Sequence, residues 1–277
     1  MASAFDAPAY EAADIMGGLY GDGIIGLPGA FDAAFANRLH AEIIGIFAEV
    51  KDLPGGALPR GPQRWYAEIQ PERIAGFVAI AAHPWFVADC TAVLGSDYRI
   101  IEVCFDIPFP GAADQPWHRD FAVPEATTKG QRLNSLAFNM TTTDTRPEHG
   151  PFEIAPGTQW DQFEGCANGM FPPEHLWPRY AARAEKKLPR RGDIAARSAL
   201  TVHRGTANHS DEPRPVLVIG VDASDATNGA HHDLQATAAY YDALPPIVRD
   251  HLPARIVDRL EPVIQYHVID GLLTPTY

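Results

Sequence analysis

Arg99-Ile100-Ile101-Glu102-Val103-Cys104-Phe105-Asp106-Ile107, closed by Pro108-Phe109-Pro110-Gly111, is where this chain changes character. The run is dominated by β-prone residues and ends in turn formers, which predicts a strand. Upstream, apolar residues recur at helical spacing. Phe35, Leu39, Ile43, Ile46 and Phe47 mark one face of a helix over 33–50, with Asp32 placed to cap it. Residues 10–22, 70–80 and 84–94 also read as helices, with His83-Pro84 opening the last and Gly95 past its end, and the Pro/Gly-rich 52–63 as a loop. Downstream, 133–142, 152–155, 192–197, 200–203 and 215–221 read as short strands. The last is a continuous apolar run and so a buried one. Residues 161–191 form an irregular insert, and 235–244 and 246–264 read as helical stretches. Helices followed by many short strands indicate an α+β chain built on a sandwich or jelly roll. The expected layout is a single domain over 1–277: a helical part over about 1–97, a β core over about 98–222 and a helical tail over about 233–277.

Composition narrows the function. A chain of 277 residues that is 46% hydrophobic can bury a sizeable core. A formal net charge of −13 and a pI near 5.2 argue against nucleic acid and anionic membrane surfaces as partners. No run approaches the ~18–20 apolar residues that a membrane span needs. Cys90, Cys104 and Cys166 are odd in number and widely spaced, which suggests free thiols in a reducing compartment. The first residues carry neither a basic nor an apolar targeting segment, so the expected location is the cytoplasm.

The chemistry centres on Trp117-His118-Arg119-Asp120-Phe121. A His and an Asp two residues apart can turn toward one ion. A third ligand from a distant strand would complete a two-histidine, one-carboxylate set, which leaves half of an octahedral ion open. His203 is the best candidate, at the end of the 200–203 strand. Eleven residues on, Arg214 opens the next apolar strand, where a buried guanidinium calls for an anion such as a dicarboxylate. His149 and His209 are weaker rivals, His40 and His83 read as structural, and His231-His232 as exposed. The basic run 186–191 reads as a solvated face. Asn208 and Ser210 read as loop-holding residues.

In order along the chain, Trp117–Asp120, the segment from Gly150 to Thr158, Gly192-Asp193, and the stretch from His203 to Ser210 with Arg214 resemble the phytanoyl-CoA dioxygenase (PhyH) family of Fe(II)/2-oxoglutarate oxygenases. The Gly/Ile-rich stretch 21–29 is similar to that family's opening, and the resemblance spans roughly 15–222. It implies a double-stranded β-helix (cupin-like jelly-roll) core. It further implies His118, Asp120 and His203 as iron ligands, Arg214 as partner of the far carboxylate of 2-oxoglutarate, and O2 as co-substrate. Two positions depart from the family pattern: Gln159 stands where a His is usual, and Gly205 offers no side chain where a polar residue is common. Ser210 and Asn134 are the candidates to complete the co-substrate site. The resemblance implies oxidation of an unactivated C–H bond, such as hydroxylation, with release of succinate and CO2. Asp120 favours that outcome, since related halogenases lack the carboxylate. A non-oxidative metal-dependent isomerase or hydrolase on the same scaffold is the alternative. The expected substrate is a small molecule, natural-product or amino-acid-like, with Arg64, Trp65, Tyr66, Arg132 and Asn134 as pocket candidates and Trp117, Phe121 and Phe138 as pocket walls. The expected state is a monomer or homodimer.

Overall fold

The structure, a computed structural model, describes residues 10–122, 124–163, 169–226 and 232–263. Seven strands form its larger sheet: β1 (Ile24–Leu27), β2 (Leu58–Pro59), β3 (Arg64–Glu68), β4 (Arg99–Pro108), β5 (Ser135–Thr141), β8 (Ile194–Ser198) and β10 (Val216–Asp222). They are antiparallel, in the order β1-β8-β5-β10-β4-β3-β2. A smaller antiparallel sheet places β6 (Phe152–Ile154) between β7 (Glu185–Lys187) and β9 (His203–Gly205). The two sheets form a jelly roll and contribute residues to one cavity between them.

Alternation along the strands decides what the larger sheet presents to each side. In β5, Phe138 and Met140 belong to the main apolar core, Ser135, Ala137 and Asn139 line the cavity, and Leu136 at the strand's start does both. In β10, Leu217, Ile219 and Val221 face the core, and Val216, Val218 and Gly220 the cavity. In β4, Val103, Phe105 and Ile107 face the core, and Glu102, Cys104 and Asp106 the cavity. The continuous apolar run of β10 therefore reflects a strand covered on both faces.

Helices supply the cover. The long helix α2 (Ala33–Val50) follows α1 (Ala12–Gly21), and α3 (Phe77–Ala81) leads into α4 (Pro84–Leu94). As expected, Asp32 caps α2, its carboxylate accepting from Phe35 N at 2.7 Å. His83 caps α4 through Nδ1, which accepts from Trp85 N. Phe138 joins sheet to helix: its ring lies 4.0 Å from that of Phe86 and edge-on to Trp85. The short α5 (Glu125–Gly130) and α6 (Trp177–Ala181) lie in the long connections.

Three expectations need correction. The helix read over 70–80 is a 3-10 turn, Pro71–Arg73, followed by α3. Between them Gly76 lies so close to Phe35 that an added Cβ would stand 3.0 Å from its ring. The tail is not two long helices. The prolines at 245, 246 and 253 cut it into α7 (Ala238–Ala243), α8 (Pro246–Arg249) and a parallel pair, β11 (Gln235–Thr237) with β12 (Arg255–Val257). Residues 264–277 lie outside the described set. Finally, His203 opens β9 rather than ending a strand. Residues 199–201 turn instead, Thr201 N bonding Ser198 O and Leu200 N bonding Ser198 Oγ. Among the described residues no helix is long and apolar enough to cross a membrane.

Phe138 is 1% exposed and ties β5 to α4. Phe138→Ala is expected to lower stability by about 3–5 kcal/mol, read as a shift of the denaturant midpoint.

Candidate active site

Two reciprocal backbone hydrogen bonds build the centre of the site. His118 N donates to His203 O (2.9 Å) and His203 N to His118 O (2.8 Å), an antiparallel bridge beside β9. Opposed residues in such a pair project to the same side, and the two imidazole centroids stand 4.5 Å apart. Asp120, two residues on, returns to that side, its N–H held by Ala199 O at 3.0 Å. The intervening Arg119 points elsewhere and donates to the carbonyls of Thr158 and Asp161. Ligand-capable atoms of His118, Asp120 and His203 all lie within 4.8 Å of one another.

The donor chemistry suits a divalent transition metal. Nδ1 of His118 lies 2.8 Å from Pro116 O, and Nδ1 of His203 lies 2.8 Å from Thr201 O. A carbonyl accepts only, so each Nδ1 carries the hydrogen and each Nε2 keeps its lone pair for a metal. Burial, with His203 close by, pushes His118 down to about 3. Burial and Arg197 lower His203 as well, so both rings stay neutral. Burial alone would raise the Asp120 carboxyl, but Arg197 and His203 hold it well below the usual carboxylate range. Arg197 is the decisive partner: its two terminal nitrogens donate to the two Asp120 oxygens at 2.6 and 3.2 Å. Nothing in the sequence reading assigned it a role. The available signal was a lone charge in the short β8 run of Ile, Ala and Ser.

The cavity beside this group measures about 450 Å3. His118, Asp120, His203, Arg197, Phe152, Met170, Phe171 and Arg214 all line it. Arg214 is buried, and its Nε donates to the carbonyls of Gly150 (3.0 Å) and His149 (3.3 Å). Among the described residues its terminal nitrogens have no hydrogen-bond partner. Burial lowers Arg214 to about 10, with Asp106 opposing, so it stays cationic at neutral pH. Arg64 lies behind it, fully buried, paired with Asp106 at 2.9 Å and donating to Thr206 O. This arginine accounts for Gly205, since a Cβ there would stand 2.6 Å from its Cζ. Gln159, the other departure from the expected pattern, ties the end of α1, with Nε2 donating to the carbonyls of Tyr20 (2.8 Å) and Gly21 (3.1 Å). That segment is a structural turn.

Other expected site residues fall elsewhere. Ser210 is bound in its own loop, to Asn208 Oδ1 and Glu212 O, and does not line the cavity. Asn134 is buried just before β5, outside the cavity wall, where its carbonyl holds Ala223 N. Arg132 pairs with Asp225 at the surface. Trp65 packs on Phe47, Trp117 against Tyr180, and Phe138 on the helices. Tyr66 and Phe121 do line the cavity. His232, read as exposed, is instead partly buried, its side chain packed among Tyr66, Glu68 and Glu102 on the cavity wall, and His231 lies outside the described residues. Cys90 and Cys104 are buried free thiols.

The sequence model described as phytanoyl-CoA dioxygenase (PhyH) matches residues 20–216. The chain belongs to this family. No curated protein matches it in sequence. Among solved structures, this PhyH member is similar to the epimerase SnoN in complex with Fe3+, alpha-ketoglutarate and nogalamycin RO. Identity is 20% and the TM-score 0.64, over 79% of this chain and 86% of that one. It is similar to EctD from S. alaskensis with 2-oxoglutarate and 5-hydroxyectoine at 16% identity and TM-score 0.63, over 82% and 81%. For HygX from Streptomyces hygroscopicus with nickel and 2-oxoglutarate bound, the values are 15% and 0.56, over 81% and 91%. At these identities the likeness establishes the shared fold, the jelly roll described above.

Residues that orient a metal ligand typically matter about 10–100-fold to metal affinity. Arg197→Ala is expected to weaken Co(II) binding by that factor in a visible-absorption titration. Stability should follow His118. The unfolded chain protonates this His near pH 6.5, whereas the fold keeps it neutral down to about 3. The metal-free protein should therefore lose stability as pH falls from 6.5 toward 3. Melting midpoints across that window should fall less steeply for His118→Gln.

Proposed function

We propose that this protein is an Fe(II)- and 2-oxoglutarate-dependent oxygenase that oxidises an unactivated C–H bond of a small molecule, most simply by hydroxylation. The observation that carries this reading is a shared opening: the His118/Asp120/His203 group and the cationic end of Arg214 face one cavity. His118, Asp120 and His203 would hold the metal, and Arg214 the far carboxylate of 2-oxoglutarate through a bidentate, charge-assisted pair. When bound, iron and 2-oxoglutarate supply the oxidising power: O2 gives one atom to the succinate formed with CO2 and the other to substrate oxidation.

The chain's own residues set the conditions for that chemistry. Pro116 O and Thr201 O fix the tautomers of the two imidazoles, so that both lone pairs point to one place. Arg197 keeps Asp120 ionised and fixes its plane. Phe152, whose ring lies 5.1 Å from that of His203, and Phe171, 5.9 Å from His118, give the pocket apolar walls that exclude water. Family membership and the fold of the 2-oxoglutarate-bound neighbours support the assignment. Those neighbours include an epimerase and a carbocyclase, so oxidative outcomes other than hydroxylation occur on this fold.

Oxygen-free protein given Fe(II) and 2-oxoglutarate should develop a visible metal-to-ligand charge-transfer band. Arg214→Ala should raise the 2-oxoglutarate concentration needed for half-maximal absorbance by about tenfold or more, and His118→Ala should abolish the band. No band in the wild type, or a full band in Arg214→Ala, would overturn the assignment.

A further inference from the structure

The wall of the cavity opposite Asp120 carries a second polar group that the metal and co-substrate reading does not use. Strand register places it. Glu102 on β4 lies across from Gly220 on β10, Gly220 across from Ala137 on β5, and Ala137 across from Arg197 on β8. Three strand spacings separate Glu102 from Arg197, about 14 Å along the floor of the cavity. The residues between are small. A Cβ at Gly220 would stand 2.7 Å from Glu102 Oε2 and 2.8 Å from Glu102 Cβ, so glycine is what allows this carboxylate to lie over the floor.

The next row brings Glu68 on β3 beside Cys104, then Val218 and Asn139. The Tyr66 hydroxyl donates to Glu102 Oε1 at 2.8 Å and lies 2.9 Å from His232 Nε2. The same Nε2 is 3.4 Å from Glu68 Oε1 and 3.7 Å from Glu102 Oε1. Cys104 Sγ donates to Glu102 at 3.2 Å. All of these residues line the cavity. Arg60 also lines it, its guanidinium stacked 4.0 Å over the Tyr66 ring. Asn139 Oδ1, on the floor between this wall and β8, is buried with no hydrogen-bond partner among the described residues.

The surroundings thus divide by charge. Arg214 makes the co-substrate end positive, while Arg197 is neutralised by its pair with Asp120. Glu68, Glu102 and the Asn139 carbonyl put acceptors on the opposite wall, with Arg60 as the cation beside them. Burial, reinforced by the charge of Glu102 and opposed by Arg60, pushes the Glu68 carboxyl up to about 7. At about 450 Å3 the cavity lies within the roughly 300–1,000 Å3 of small-molecule sites.

We propose that Glu68 and Glu102, held by Tyr66 and His232, form a subsite for a protonated amine, and that the substrate is an amine-bearing small molecule presented from this wall to the metal. The inference rests on the oxygenase reading for its role in turnover, but the subsite itself can be tested by binding alone. Cyclohexylamine, phenethylamine and glucosamine, each with its N-acetyl counterpart, would be titrated calorimetrically into oxygen-free protein loaded with Fe(II) and 2-oxoglutarate, and into the metal-free protein. The free amines are expected to bind about tenfold or more tighter than their acetylated partners. The Glu68→Gln/Glu102→Gln double variant should lose that preference while keeping the charge-transfer band. Should the double variant fail to fold, Glu102→Gln alone should reduce the preference several-fold. The subsite is overturned if no free amine outbinds its acetylated partner, or if the preference survives in the variants. A missing charge-transfer band in wild-type protein that still prefers amines would instead strike only the oxygenase reading.

Discussion

The site depends on one pair of backbone hydrogen bonds, those exchanged by His118 and His203. Each bond does what any antiparallel bridge does. Together they fix the distance and direction of two imidazoles drawn from opposite ends of the β core. Everything else about the metal group follows from that bridge. Asp120 reaches the same point because alternation returns it to the side of His118. The Nδ1 atoms find carbonyls two residues back, at Pro116 and Thr201, because each ring folds over its own strand. Arg197 then answers the charge that burial would otherwise suppress.

That bridge is also why the sequence was informative about the site only in part. The motif residues were legible as ligand types, and their order along the chain was specific. A sandwich or jelly roll was legible from the change of period at β4 and the string of short strands that follows, and the family resemblance pointed to the jelly roll. Arg197 was not legible, because its role comes from a register in which β8 borders β5 and brings the guanidinium directly onto Asp120. His232 was misread as exposed because its neighbours, Tyr66, Glu68 and Glu102, belong to β3 and β4, far away in sequence. The tail's helical stretches proved shorter than expected because the three prolines interrupt them. Ser210 carried two readings, a stand-in for the side chain that Gly205 lacks and a loop-holding residue, and its hydroxyl takes the second, held by Asn208 and Glu212 within a tight loop.

The two departures from the family pattern each have a local explanation in space or polarity. Gly205 yields its volume to Arg64, whose guanidinium is tied to Asp106 and Thr206 and sits behind Arg214. Gln159 gives up an imidazole for an amide that binds the last carbonyls of α1, fastening the N-terminal helix to the β core. Each still leaves one buried polar atom without a hydrogen-bond partner among the described residues, Arg64 Nε and Gln159 Oε1.

The larger sheet has one face under helices and the other under the cavity, and this interleaves two independent alphabets in each strand. Odd-numbered positions of β10, such as Leu217 and Ile219, answer to close packing. The even ones, Val216, Val218 and Gly220, answer to whatever occupies the cavity. A strand of this kind can be rewritten for a new ligand letter by letter without disturbing the text that holds the fold together. The same β4 that carries Glu102 and Cys104 toward the cavity carries Val103 and Phe105 into the core. Selection for substrate and selection for stability therefore act largely on different, alternating residues, which is a structural reason for one scaffold to serve many chemistries.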